Sequence, residues 1–176
     1  MRTLLIGFAI ITAVVHCQEQ RVNKAEVLYS INSMRSYLAK KHKIANMNEL
    51  AYDKSLEKFA NLELAKYKSC PLPELITVGN IEMLNPDNPQ ILEEAVTDPG
   101  RTRMAFVKNP CAADKYVGVS DTNDKVLMLN GEPGSRCPEN RPFVNNGLCG
   151  VRRGAYQRKG GLKKFCNIFF FGFCRG

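Results

Sequence analysis

The sequence predicts an α+β protein. Two stretches in its first third repeat apolar residues at helical spacing, segments beyond residue 100 have strand-like composition, and cysteines spread from residue 70 onward offer disulfides. Four of those cysteines fall after residue 135 together with a surplus of positive charge, so the class is an α+β body followed by a small disulfide-rich cationic tail.

Residues 1–17 read as a leader. Arg2 supplies a positive start, and residues 4–15 are apolar over a length typical of a signal peptide and too short for a membrane span. Cleavage after Cys17 places the mature start near Gln18, and the expected location is extracellular. No other stretch reads as a transmembrane span; Phe169-Phe170-Phe171 is far too short. Loss of Cys17 leaves Cys70, Cys111, Cys137, Cys149, Cys166 and Cys174. An even number of cysteines in an exported chain reads as disulfides, here three bridges with about 15 possible connectivities. There is no Asn-x-Ser/Thr acceptor for N-glycosylation.

Helical spacing of Leu28, Ile31, Met34 or Arg35, and Leu38 predicts an amphipathic helix over residues 24–43, ending in Lys40, Lys41, His42 and Lys43, where cations suit the C-terminal dipole. Asp53 is a good N-cap for a second helix with Leu56, Phe59, Ala60, Leu64 and Tyr67 on its apolar face, running out at Cys70-Pro71. Proline and glycine then punctuate the chain to Gly100, with a short helix expected over residues 90–97. Strands are expected at residues 104–107, 115–120 and 125–130. The tetrad from Asp121 to Asp124 should turn the last two into a hairpin. Gly131-Glu132-Pro133-Gly134 closes this region, and no internal repeat is visible.

Read together, these segments resemble the CAP superfamily of cysteine-rich secretory, antigen 5 and pathogenesis-related-1 proteins, in the style of the secreted sets of nematodes. Ile31-Asn32-Ser33-Met34-Arg35 resembles the family's His-Asn-x-x-Arg, with isoleucine at the histidine position. Asn46-Met47-x-x-Leu50-x-Tyr52-Asp53-x-x-Leu56-x-x-x-Ala60 is similar to the family run, with Tyr52 for tryptophan. Gly79-Asn80-Ile81 looks like Gly-Glu-Asn-Ile without its glutamate. Gly100-Arg101-Thr102-Arg103-Met104-Ala105-Phe106 occupies the place of Gly-His-Phe-Thr-Gln-Met-Val-Trp, and Gly131-Glu132-Pro133-Gly134 that of Gly-Pro-x-Gly. The resemblance covers about residues 22–135. It implies a trimmed α-β-α sandwich in which Asn32, Arg35, Met47, Leu50, Tyr52, Asp53, Leu56 and Ala60 are structural. The chain then divides into a leader (1–17), a degenerate CAP-like domain (18–135) and a basic extension rich in cysteine and phenylalanine (136–176). The segment between Cys70 and Gly100 is shorter than the family's. The usual hairpin cysteine is absent, since Val119 follows Gly118, and its partner strand has none either, so no thiol is stranded. Cys70 and Cys111 remain as a candidate pair.

The family's cleft typically holds two histidines and two glutamates able to bind a divalent metal, which requires neutral imidazoles on converging elements. After the leader this chain has one histidine, His42, inside a Lys-Lys-His-Lys run. A cysteine or serine nucleophile wants a positioned base, and only His42 is on offer. Glu93-Glu94 and Asp121 with Asp124 are the visible carboxylate pairs; neighbouring helix residues do not face one another, and Asp in a turn is ordinary turn chemistry. There is no glycine-rich phosphate loop. The expectation is a protein without catalytic residues, metal or cofactor.

Residues 18–134 carry 15 Lys and Arg against 16 Asp and Glu, while residues 135–176 carry 9 against one, Glu139. Arg152, Arg153, Arg158, Lys159, Lys163 and Lys164 lead into a segment with Phe169, Phe170 and Phe171 between Cys166 and Cys174. Those rings either fill a tiny core or form an apolar patch beside cations. Nucleic acid is not the expected partner of an exported, oxidised chain; an extracellular protein, a lipid or an anionic surface is. The function expected is binding without catalysis, as the resemblance implies from family links to lipid binding, immune modulation and defence. The alternatives are a membrane-active defence protein acting through the tail and, from the paired basic residues, a precursor of a small cyclic peptide.

Overall fold

The computed structural model describes residues 23–85 and 89–151. The leader, Cys166, Cys174 and the tail residues Arg152, Arg153, Arg158, Lys159, Lys163, Lys164, Phe169, Phe170 and Phe171 lie outside the described residues.

Helix α1 spans Lys24–His42. The Asn23 side chain caps it by accepting from the Ala25 N–H, and Lys43 ends it in a left-handed conformation. Its buried face is largely polar: Asn32, Arg35 and Ser36 are buried beside Val27, Leu38 and Ala39. The choice left open at Met34 or Arg35 thus falls to Arg35 as the fully buried residue. Helix α2 spans Lys54–Leu64, with Asp53 as its N-cap. It buries Leu56, Ala60 and Leu64 and stops one turn short of the expected end, leaving Tyr67 outside it and exposed. The third helix, α3, spans Pro89–Thr97, close to expectation.

Five strands form one mixed sheet, in the order β1 (Ala51–Tyr52), β4 (Arg103–Asn109), β5 (Ala112–Asp121), β3 (Ile81–Leu84), β2 (Leu75–Val78). β1 runs parallel to β4, and the other neighbours are antiparallel. The sheet is covered on both faces because its central strands are apolar on both. Ala105 and Val107 of β4 pack with Val117 and Val119 of β5 against Leu56, Ala60 and Leu64 of α2. Met104 and Phe106 point the other way, onto Val27, Leu28 and Ile31 of α1. The result is an α+β fold with a helix on each side of the sheet.

Three features differ from the sequence expectation. Residues 125–130 are not a strand of the sheet, and their hairpin with residues 115–120 does not form; β5 pairs with β4 across the turn at Pro110-Cys111 and with β3 on its other side, so both its edges are taken. A second hairpin, β2–β3, lies in the punctuated region. Gly79-Asn80 is its two-residue turn, where Gly79 takes the positive φ (+61°) that side-chain-bearing residues avoid. Beyond residue 135, Phe143–Asn145 (β6) and Leu148–Gly150 (β7) form a small hairpin, and Leu148 joins Ala39, Ile44 and Met47 in a third apolar cluster.

Two disulfides are present among the described residues. Cys70–Cys111 ties the chain after α2 to the β4–β5 turn, with Cα atoms 5.6 Å apart. Cys137–Cys149 closes the segment that carries β6 and β7, with Cα atoms 5.3 Å apart. No helix among the described residues is long and apolar enough to cross a membrane.

Candidate functional site

Polar residues converge where the start of β4, the end of β5 and the loop after α3 meet the inner face of α1. Asn32 sets the first link. Its amide donates to the Leu50 carbonyl (2.9 Å) and accepts from the Leu50 N–H (2.8 Å), a two-way clamp between α1 and the strand entry. One turn on, Arg35 fans its guanidinium over the carbonyls of Asn48 (2.9 Å), Val96 (2.8 Å) and Asp98 (3.0 Å). Burial lowers its pKa to about 9, with Asp98 opposing that shift, so the group remains a cation at neutral pH. A planar fork can satisfy several carbonyls from one point, as a lysine cannot.

Arg101 and Arg103 carry the outer part of the network. Arg101 donates to Glu82 and to the Ser120 hydroxyl, and its Nε lies 3.2 Å from Asp98. Arg103 bridges Asp53 (2.9 Å) and Asp121 (3.3 Å). Asp121 also accepts from the backbone N–H groups of Thr102 and Arg103 (2.8 Å each) and from the Thr102 hydroxyl (2.6 Å). Burial pushes the Asp121 carboxyl up, but these donors outweigh it and hold the group below the usual carboxylate range. Asp53 is held low mainly by the Ser55 hydroxyl and N–H that its capping role recruits, and then by Arg103.

Tyr52 stands at the edge of the same region. Its hydroxyl donates to Glu57 (2.5 Å), and the Lys24 ammonium lies 5.3 Å from the ring centroid and 2.6 Å from Glu57. The ring packs with Phe106, centroids 6.3 Å apart. The tyrosine standing where tryptophan was expected therefore joins α1, β1 and α2. Met47, Leu50, Leu56 and Ala60 lie in the apolar clusters.

Asp53, Asp121, Glu82 and Asp98 are thus engaged by guanidinium groups or helix-capping donors, whereas burial raises the Glu49 carboxyl, which accepts from the Asn145 amide (3.3 Å) at the edge of the β6–β7 hairpin. A general base needs an accessible lone pair and a pKa near the working pH, and Asp53 and Asp121 are pulled the other way. Of the remaining sequence candidates, His42 lies exposed at the end of α1, Glu93 and Glu94 are exposed on α3, and Asp124 lies in an exposed turn apart from the engaged Asp121. Among the described residues, no group of three or more His, Cys, Asp or Glu side chains is arranged to hold a metal ion.

Sequence reasoning found Asn32, Arg35 and Asp53 through the motifs they occupy. It passed over Glu82, Arg101, Arg103 and Asp121 as network members. Their signal was charge of both signs on adjoining strand ends, which has meaning only once the strand register is known.

No protein-family model matches the chain, and no curated protein does. Among solved structures, one titled "Crystal Structure of Hookworm Platelet Inhibitor" aligns with a TM-score of 0.47 and 16% identity, covering 73% of this chain and 91% of that chain.

Proposed function

We propose that this chain is a secreted, non-catalytic binding protein of the CAP type, with an extracellular protein, lipid or anionic surface as its ligand. The observation that carries this reading is the engagement of Glu82, Asp98, Asp53 and Asp121 by Arg101 and Arg103: these ion pairs serve to lock the strand ends and their flanking loops together. The motif residues Asn32, Arg35, Met47, Leu50, Tyr52, Asp53, Leu56 and Ala60 are read as scaffold, in line with their burial or packing. Disulfides such as Cys70–Cys111 and Cys137–Cys149 persist in oxidising compartments, which supports an extracellular location together with the leader at residues 1–17. On this reading Cys166 and Cys174 pair with each other. The body spans residues 18–135, and the extension 136–176 begins with a hairpin docked on α1 and carries the basic residues Arg152, Arg153, Arg158, Lys159, Lys163 and Lys164 onward to Phe169, Phe170 and Phe171.

The test is binding of the purified mature chain to immobilised heparin and to vesicles, alongside metal analysis and a hydrolase substrate panel. Binding that weakens steeply with salt, without turnover, is expected. Stoichiometric zinc retained through dialysis, or clean turnover of a substrate, would contradict the reading.

A further inference from the structure

Residues 127–129 place three consecutive apolar side chains in water: Leu127 is 74% exposed, Met128 49% and Leu129 37%. The segment is fixed in place. The Leu129 carbonyl accepts from the Ala45 N–H (2.7 Å), and the Gly131 N–H donates to the Lys43 carbonyl (2.8 Å). The buried Asn46 amide donates to the Leu127 carbonyl (2.8 Å) and accepts from the Leu129 N–H (2.9 Å). Backbone and amide bonds thus hold a hydrophobic ridge outward, where collapse onto the core would have been the ordinary fate of such a run.

The same bonds set this ridge beside a cluster of cations. It joins the chain at Lys43, directly after Lys40, Lys41 and His42 in the last turn of α1, and the Arg136 N–H donates to the Ala45 carbonyl beside it (3.2 Å). Lys41, Lys43 and Arg136 are exposed. Tyr37, 62% exposed, lies one turn before Lys41 on the same helix face. The acids flanking the ridge in sequence are Asp124 before it and Glu132 after it, both exposed, with the exposed Lys125 beside Asp124. Residues 18–134 balance 15 basic against 16 acidic side chains, so this positive end is a local feature and not the sign of the whole body.

From this juxtaposition we infer that the end of the molecule formed by the last turn of α1 and residues 125–131 docks on an anionic lipid bilayer. Apolar side chains enter the acyl boundary while the lysines and Arg136 meet lipid phosphates and carboxylates, with Tyr37 suited to headgroup depth. A sulfated glycan would use the cations but leave the leucine–methionine ridge in water. The inference rests on the binding reading above and gives it a ligand class and a place distinct from the tail.

The experiment is vesicle co-sedimentation of the full mature chain, with phosphatidylcholine alone or mixed with phosphatidylserine, and far-UV circular dichroism of each variant. Wild-type protein is expected to bind the mixed vesicles selectively. The double variants Leu127→Asn/Met128→Asn and Lys41→Glu/Lys43→Glu should each weaken binding about tenfold or more while remaining folded, because every substituted side chain is exposed. The triple variant Phe169→Ser/Phe170→Ser/Phe171→Ser should retain the selectivity. Unchanged binding by both folded edge variants overturns the inference. So does loss confined to the tail variant, which would move the contact to the tail and leave the binding reading standing. Binding to heparin without binding to vesicles assigns the cations to glycan and overturns the lipid inference alone. Turnover of a substrate by vesicle-bound protein whose edge variants dissociate would sink the non-catalytic reading and spare the inference.

Discussion

Replacing Arg35 by alanine would strand the carbonyls of Asn48, Val96 and Asp98 away from water and leave a void in the centre of α1's packed face. Each lost partner of a buried polar group costs roughly 1–3 kcal/mol, so a loss of about 3 kcal/mol or more is expected in urea denaturation, and Arg35→Lys should recover little of it. The acid side of the stability curve belongs to Asp53, Glu57 and Asp121, whose carboxyls all lie below the ordinary range in the folded chain. A group of this kind binds its proton more readily when unfolded. Its stabilisation is fully present above the unfolded pKa, about 4, and is lost as pH falls through the folded value. The urea midpoint should therefore be level from neutral pH down to about 5 and then fall toward pH 2. Asp121→Asn should lower the plateau and flatten the acid slope. A midpoint that rose on acidification would contradict the assigned pairings.

At the scale of elements, the two hairpins test how local sequence sets structure. Gly79 has no atom within 4 Å of where a Cβ would stand, so Gly79→Val should destabilise through backbone strain alone, by about 1–2 kcal/mol, whereas Asn80→Gly should be nearly neutral. The Cys137–Cys149 bridge closes a shorter loop than Cys70–Cys111, with sequence separations of 12 and 41. On the loop-entropy account its loss costs about 3 kcal/mol against almost 4 for the longer one, to be read from denaturation of the paired serine variants. Helices α1 and α2 were legible in the sequence because capping and apolar spacing are local. The strand expected at residues 125–130 was not, because its expected partner, β5, already has a strand on each side; Asn46, a side chain distant in sequence, takes the place of a partner strand. The β2–β3 hairpin was hidden for the opposite reason. Proline and glycine on both sides drew attention to punctuation, while the four-residue strands are too short to declare a period.

Across the whole molecule, the α+β class and the Cys70–Cys111 candidate pair were visible before any coordinate, since the first follows from the order of helices and strands and the second from a motif resemblance. The ion-pair network was not. Glu82 meets Arg101, and Asp121 meets Arg103, only after β3, β4 and β5 align, and no spacing in the chain announces that register. The compositional change after residue 135 was plain in the sequence, yet the packing of the body continues past it: Cys149 exchanges backbone hydrogen bonds with Met47 and Glu49, and Arg141 reaches the carbonyls of Glu49 and Cys149. Charge and structure are thus partitioned differently along this chain, and basic residues gather in the last turn of α1 as well as in the sequence beyond residue 135.

The non-catalytic reading requires that Asp53 and Asp121 serve as scaffold. The direct test is a carbon-13 NMR titration of the aspartate and glutamate side chains in the mature protein. Asp53 and Asp121 are predicted to titrate below the ordinary aspartate range, together with the loss of folded structure. A carboxyl of this cluster that instead released its proton near neutral pH, with the fold intact, would be poised for acid–base chemistry and would contradict the account.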